Sequence, residues 1–287
     1  MRSHLIKRFG FFLLGIALFY APFAILVRVL VWATDSPLMA DAHRVCLRMP
    51  VEWLFQPWMY PTMIENPMYL VVLLVLPAVA LFFGPLFCGW MCPAGIFPEF
   101  MSRLVPEKLQ WKPAGRINPS PVRYGVLAAM LVAPFVGAYI CCSFCNFAVM
   151  QNIVSAAFGD FRLVTHWASI TLLTFGIWFV ALGLFTKGGR GWCNFICPAG
   201  ALMGLSHFFG AKLGFTYRLN IDGEQCKNCG DCVKTCNMWA LTKEEGIQVN
   251  RHACNLCLDC VHACKNGAIS FSKGNGTVSD KKEVQPQ

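Results

Sequence analysis

The sequence predicts an α-helical membrane protein: four transmembrane helices followed by a small carboxy-terminal α+β domain that binds metal. Three observations lead there. Of 287 residues, 56% are hydrophobic and only 14% charged, where a soluble domain carries about 25% charged residues. The apolar excess is gathered in runs long enough to cross a bilayer, which takes about 20 residues. Sixteen cysteines cluster at ligand-like spacings, unlike a disulfide scaffold, and the side that bears them should be reducing. The formal charge of +9 is accounted for by Lys and Arg flanking the apolar runs. No basic stripe lies on a polar domain, so nucleic acid is not an expected partner.

In chain order, the first helix is expected at Phe9–Trp32, behind Arg2, Lys7 and Arg8. A signal peptide is the competing reading, but the run is too long for a signal core and no small-residue cleavage site closes it. Residues 33–66 form a long loop with Trp53, Phe55, Trp58 and Tyr60, aromatics suited to the membrane interface, and with Cys46 alone in sequence. The second helix, Pro67–Phe87, leads into Phe87-Cys88-Gly89-Trp90-Met91-Cys92-Pro93-Ala94-Gly95. A basic loop follows with Arg103, Lys108, Lys112, Arg116 and Arg123. The third helix is expected at Tyr124–Met150 and carries Cys141, Cys142 and Cys145; the fourth runs Trp167–Phe185. Then comes Gly191-Trp192-Cys193-Asn194-Phe195-Ile196-Cys197-Pro198-Ala199-Gly200, and a short helix over Ala201–Phe215 expected to lie on the membrane. Lys and Arg are richest at the amino terminus, in the 92–123 loop and after the fourth helix. That bias places both termini in the cytoplasm, and the chain is expected to be a multi-pass protein of a bacterial inner membrane. The expected units are a membrane domain at 1–215, a metal-binding domain at 216–271 and a disordered polar tail at 272–287.

The carboxy-terminal domain carries the most specific pattern. Cys226, Cys229, Cys232 and Cys236 repeat the spacing of Cys254, Cys257, Cys260 and Cys264. This is the pattern of a bacterial two-cluster ferredoxin, in which the fourth cysteine of each run serves the other cluster. Cys226, Cys229, Cys232 and Cys264 are therefore expected to hold one [4Fe–4S] cluster, and Cys254, Cys257, Cys260 and Cys236 the second. Zinc sites pair two short Cys-x-x-Cys units and leave the remaining cysteines unexplained. The proline usual after the fourth cysteine is replaced by Asn237 and Lys265. A lysine there is a candidate for raising the potential of its cluster.

A second constellation is an internal repeat, Cys-x-x-x-Cys-Pro-Ala-Gly, after the second and fourth helices. Four-residue spacing puts both thiols of a pair on one side of a helical turn. Cys88, Cys92, Cys193 and Cys197 could converge on a further iron–sulfur cluster at the inner face; a redox-active thiol pair, a docking surface and a structural turn are the alternatives. Cys46, Cys141, Cys142 and Cys145 fall towards the outer face, where a cluster or metal site, disulfides and inert buried thiols all remain open.

No Cys-x-x-Cys-His occurs, and no histidine pair suited to b-type haem lies in a membrane run. No nucleotide fingerprint, hydrolytic triad or carboxylate pair stands out. Four helices, two Cys-x-x-x-Cys-Pro repeats and the double ferredoxin motif resemble the NapH/MauN family of ferredoxin-type membrane components of quinol dehydrogenases, over residues 1 to 271. The resemblance implies an electron-transfer subunit in a hetero-oligomeric complex. It would take electrons from the quinone pool and deliver them, through an iron–sulfur or c-type cytochrome partner, to a periplasmic reductase system. The Cys-Cys-x-x-Cys in the third helix and the missing ferredoxin prolines depart from the family pattern. Glu52, Glu65, His43 and His166 are acid–base candidates for a quinol site; Arg28, in the first helix, reads as a snorkelling side chain or a quinone or partner contact. A maturation factor that supplies electrons to a metalloenzyme, and a scaffold whose clusters serve structure, are the alternative functions.

Overall fold

The computed structural model describes residues 2–20, 22–33, 46–112, 117–136, 144–161, 169–243 and 246–274. A helical body and a small α+β module each have their own apolar core. The first expected helix is broken in two, α1 (Arg2–Phe19) and α2 (Ile25–Ala33). Pro22 lies in the break, and Ala24 there adopts φ +44°. Proline removes a helical donor, which accounts for the interruption. Arg28 is exposed, and its guanidinium donates to the Pro22 carbonyl at 2.9 Å, satisfying a group at the break.

The 46–66 stretch is not irregular throughout: it forms α3 (Arg48–Trp53) and α4 (Tyr60–Glu65). Asn66 leaves the helical region (φ −121°, ψ 81°), as the residue before a proline is pushed to do, and the chain turns through 97° into α5 (Pro67–Phe83). After a π-helical turn at Phe87–Met91 comes α6 (Pro93–Ser102). Pro119 and the Asn118 side chain, which accepts from the Ser120 N–H at 3.1 Å, start α7 (Pro119–Val132). The third expected helix is not continuous. It passes into a 3₁₀ turn at Ala133–Val136, and α8 (Asn146–Ala157) starts afresh with the Cys145 sulfur capping the Ala148 N–H. Then come α9 (Ser169–Phe175), prolonged as a π-helix over Gly176–Leu184, and α10 (Gly191–Phe195).

Among the described residues, Pro119–Val136 is the one helix long and apolar enough to cross a membrane; the bent pair Pro57–Glu65 and Pro67–Phe83 adds a second if it forms one span. Ile170–Leu184 is apolar but shorter. Leu74, Phe82, Val132 and Leu172 project outward from these segments. The helix expected on the membrane surface, α11 (Pro198–Lys212), packs along α5 instead. Gly210 backs onto the Leu81 carbonyl so closely that no Cβ fits.

In the module, β1 (Tyr217–Ile221) pairs antiparallel with β4 (Ile269–Lys273), from Tyr217 opposite Lys273 to Ile221 opposite Ile269. A second ribbon joins β2 (Leu241–Lys243) to β3 (Ile247–Val249). Two short helices, α12 (Asp231–Thr235) and α13 (Asp259–Ala263), pack on each other between the ribbons. β4 takes in Ser272 and Lys273 of the expected tail; residues 275–287 lie outside the described residues.

Candidate iron–sulfur centres

The two ferredoxin runs adopt the same backbone. Asn228 and Leu256 both have left-handed φ, +49° and +51°, and so do Gly230 and Leu258, +81° and +63°. Paired left-handed residues curl a loop around a centre and turn its N–H groups inward. Cys236 and Cys264 then leave α12 and α13 in matching extended conformations. Cys236, Cys254, Cys257 and Cys260 line one cavity together with Leu219, Met238 and Leu241. Cys226, Cys229, Cys232 and Cys264 line a second, beside Ile247 and Ile269. Each cavity thus combines three thiols of one run with the fourth of the other. Among the described residues no group of three or more His, Cys, Asp or Glu is arranged for a single metal ion. Four soft thiols around an apolar space, three from one run and the fourth from the other, suit a cubane cluster, whereas a zinc ion draws its sulfurs to about 2.3 Å. Burial pushes the Cys254 thiol up to about 12 and Cys257 well above the ordinary thiol range, so iron loading must expel their protons.

The first cavity faces the helical body and the second faces outward, where Cys229 is exposed. Gly89, inside the first Cys-x-x-x-Cys, lies on the Asn255 carbonyl and the Cys257 backbone with no room for a Cβ. Beside it the Trp90 indole donates to the Leu256 carbonyl at 3.0 Å. On the approach to the second repeat, Gly188 packs on Asn237, and the Trp239 indole donates to the Lys187 carbonyl at 3.0 Å. Asn237, which stands where a proline is usual, is buried in this seam. Lys265, by contrast, is exposed, and solvent weakens its field at the cluster.

The two Cys-Pro repeats are geometric copies. Cys92 donates its N–H five residues back to Phe87 at 2.9 Å, and Cys197 does the same to Trp192 at 3.0 Å. Such π-type bonds often mark functional sites. Cys92 (φ −69°, ψ 105°) and Cys197 (φ −70°, ψ 108°) then cap α6 and α11, with Pro93 and Pro198 opening the helices. Proline suits that position, because its missing N–H would be unpaired anyway. Cys88 lies within electrostatic range of Cys92, Cys193 and Cys197, and Cys92 of Cys193 and Cys197, so the four thiols form one group. Gly95 keeps the space beside it open: a Cβ there would stand 3.4 Å from the Cys193 sulfur and against the Arg190 guanidinium. Burial, added to the neighbouring thiols, raises Cys88 well above its ordinary value.

Between this group and the first ferredoxin cavity lies a buried ionic junction that sequence reasoning missed. Arg8 grips Glu99 through two bonds of 2.7 Å and reaches Asp259 at 3.0 Å and the Gly89 carbonyl at 3.0 Å. Arg190 donates to Glu99 at 2.9 Å and to the Cys88 carbonyl at 2.8 Å. Arg103 bonds Glu99 at 3.0 Å and Asp259 at 3.3 Å. His4 Nε2 lies 3.0 Å from both Asp259 Oδ1 and the Cys257 carbonyl. Burial alone would raise the Glu99 carboxyl, but Arg190 and Arg8 hold it far below the usual carboxylate range. A signal was present: Glu99 is the sole acidic residue between Cys92 and Arg103.

Of the outer group, Cys46 and Cys145 are buried and within electrostatic range of each other, and burial pushes the Cys46 thiol up to about 12. Cys141, Cys142, His43 and His166 lie outside the described residues. Glu52 is buried and Glu65 exposed. Tyr20 is fully buried, within electrostatic range of Cys92, Cys145 and Cys46. Its ring lies 4.7 Å from that of Phe147.

Two doubled loops, cavities ringed by four thiols and a third thiol group in contact define a ferredoxin-type iron–sulfur protein. The family described as "4Fe-4S dicluster domain" matches residues 225–280, and "4Fe-4S binding domain" matches 65–112 and again 170–216, each of these spans holding one Cys-Pro repeat. The chain is related to the ferredoxin-type protein NapH of Haemophilus influenzae, 28% identical over 52% of this chain and 46% of that one. It is also related to the methylamine utilization ferredoxin-type protein MauN of Methylorubrum extorquens, 29% identical over 58% and 53%. The putative electron transport protein YccM of Escherichia coli is 25% identical over 58% and 45%. The chain spans about half the length of these relatives. No solved structure matches it.

Proposed function

We propose that the chain is a membrane-bound electron-transfer subunit of a quinol dehydrogenase, carrying electrons from the quinone pool towards a periplasmic reductase system. The observation that carries this reading is the packing of the first Cys-Pro repeat on the inner ferredoxin loop, where Gly89 lies against the Asn255 carbonyl and the Cys257 backbone. In this reading Cys236, Cys254, Cys257 and Cys260 hold an inner [4Fe–4S] cluster, and Cys226, Cys229, Cys232 and Cys264 an outer one. Cys88, Cys92, Cys193 and Cys197 hold a third. A bound cubane of this kind takes up and gives back one electron at a time. The chain's residues do the rest. The paired left-handed loops would hold the clusters through their inward-turned N–H groups, the seam around Asn237 and Trp239 ties the module to the helical body, and the ionic junction joins the two sides.

The relatives' names, which speak of ferredoxin-type and electron transport proteins, support the same class. Four spans, both termini in the cytoplasm, and an iron–sulfur or c-type cytochrome partner complete the reading. It is supported by the outward apolar residues of the helical body and by the Lys and Arg bias, which sets orientation. The test is anaerobic addition of a quinol to the purified protein in lipid, followed by electron paramagnetic resonance (EPR). Reduced-cluster signals that grow with quinol support the reading; clusters that dithionite reduces and quinol leaves oxidised, with the partner subunit present, overturn it.

A further inference from the structure

The junction of Arg8, Glu99, Arg190, Arg103 and Asp259 is more elaborate than docking requires. Three guanidinium groups meet two carboxylates, a net charge of +1, and Arg8, Glu99 and Arg190 are at most 1% exposed. Surface pairs would dock the module without the desolvation that buried ions cost. The charges are also sorted. Arg190 touches the Cys-Pro side only: it binds the Cys88 carbonyl and stands with the Cys193 sulfur over Gly95. Arg8 reaches the ferredoxin side, binding Asp259, which lies between Cys257 and Cys260, and spans the seam to the Gly89 carbonyl of the first Cys-Pro repeat. Glu99 is the one anion that binds both.

We propose that Glu99 is a positioning residue that sets the relative reduction potentials of the two centres, by holding Arg190 against the Cys-Pro thiol group and Arg8 against the inner ferredoxin cluster. The inference rests on the Cys-Pro group holding a cluster. Transfer between the two moves one electron and breaks no bond, so its equilibrium follows the local field. A cation near a cluster stabilises the added electron, and burial keeps that field from being screened. Arg190 therefore raises the potential of the Cys-Pro centre most, Arg8 that of the inner ferredoxin cluster most, and Glu99 holds both down.

The experiment is an EPR-monitored redox titration of the full chain in detergent, with iron counted in each sample. Arg190→Gln should lower the Cys-Pro centre more than the inner cluster, and Arg8→Gln should do the reverse. Each should change the distribution of an electron between the centres about tenfold, which is about 59 mV for one electron. Glu99→Gln should raise both potentials, Glu99→Asp should leave them near wild type, and Glu107→Gln, in an exposed ion pair, should change neither. If Glu99→Gln fails to load iron, Arg103→Gln is the second route. Its side chain is 37% exposed yet binds both carboxylates, so its loss should lower both potentials without hollowing the core. Fully loaded variants with unmoved potentials, or with equal shifts for Arg8→Gln and Arg190→Gln, overturn the inference alone. Wild-type protein with only about eight irons overturns the third cluster and the inference with it.

Discussion

At the scale of single residues, Gly89 and His207 give the sharpest consequences. A Cβ at position 89 would strike the Asn255 carbonyl and the Cys257 backbone, and such overpacking costs about 1–3 kcal/mol. Gly89→Ala should therefore lower the melting temperature and expose the ferredoxin module to protease, while Gly10→Ala, which meets no neighbour, should leave both unchanged. His207 is buried, donates to the Tyr217 carbonyl through Nε2 at 3.3 Å, and is pushed by burial down to about 4. The unfolded chain, with an ordinary histidine near 6.5, binds the proton first as pH falls. The stability from keeping His207 neutral is thus complete above about 6.5 and is lost progressively down to about 4, in all about 3 kcal/mol. Thermal unfolding should show wild type losing stability between pH 7 and pH 5, and His207→Gln losing less. The cysteines were legible because spacing alone encodes their loops. Arg8, Glu99 and Asp259 were not, because no local pattern ties residues up to 251 positions apart in sequence.

At the scale of elements, Cys-Pro is a helix start that also aims a thiol. Cys92 and Cys197 each sit at the cap of a helix whose first residue is proline. Cys193→Ser should leave the ferredoxin clusters intact and reduce iron from about twelve to about eight per chain, measured by iron assay and EPR. The repeat was visible in the sequence, but its four-thiol convergence needed α10 and the π turn at Phe87–Met91 to meet, which is tertiary. Apolar length predicted helices more continuous than they are. Pro22 breaks the first, and the third tightens into a 3₁₀ turn at Ala133–Val136 and has a fresh helix start behind Cys145. Hydropathy reports burial in an apolar medium and is blind to such breaks, because the side chains on both sides stay apolar.

At the scale of the whole molecule, the thiol groups lie in order: the Cys-Pro quartet in the helical body, the inner ferredoxin cavity on Gly89, and the outer cavity with exposed Cys229. The sequence suggested a tethered ferredoxin with a gap between its two faces. Among the described residues, the buried Tyr20 is within electrostatic range both of Cys92 and of the Cys46–Cys145 pair. If the module lies in the cytoplasm, protease should clip it in inside-out vesicles and spare it in right-side-out ones. The central claim is that the three quartets form one relay of three cubanes. Iron and acid-labile sulfide counts on the intact, anaerobically purified chain, read with EPR, test it most directly. The relay predicts about twelve irons, or more if the outer cysteines add a site, with magnetic coupling between neighbouring clusters. About eight irons and the signals of a two-cluster ferredoxin alone would contradict it.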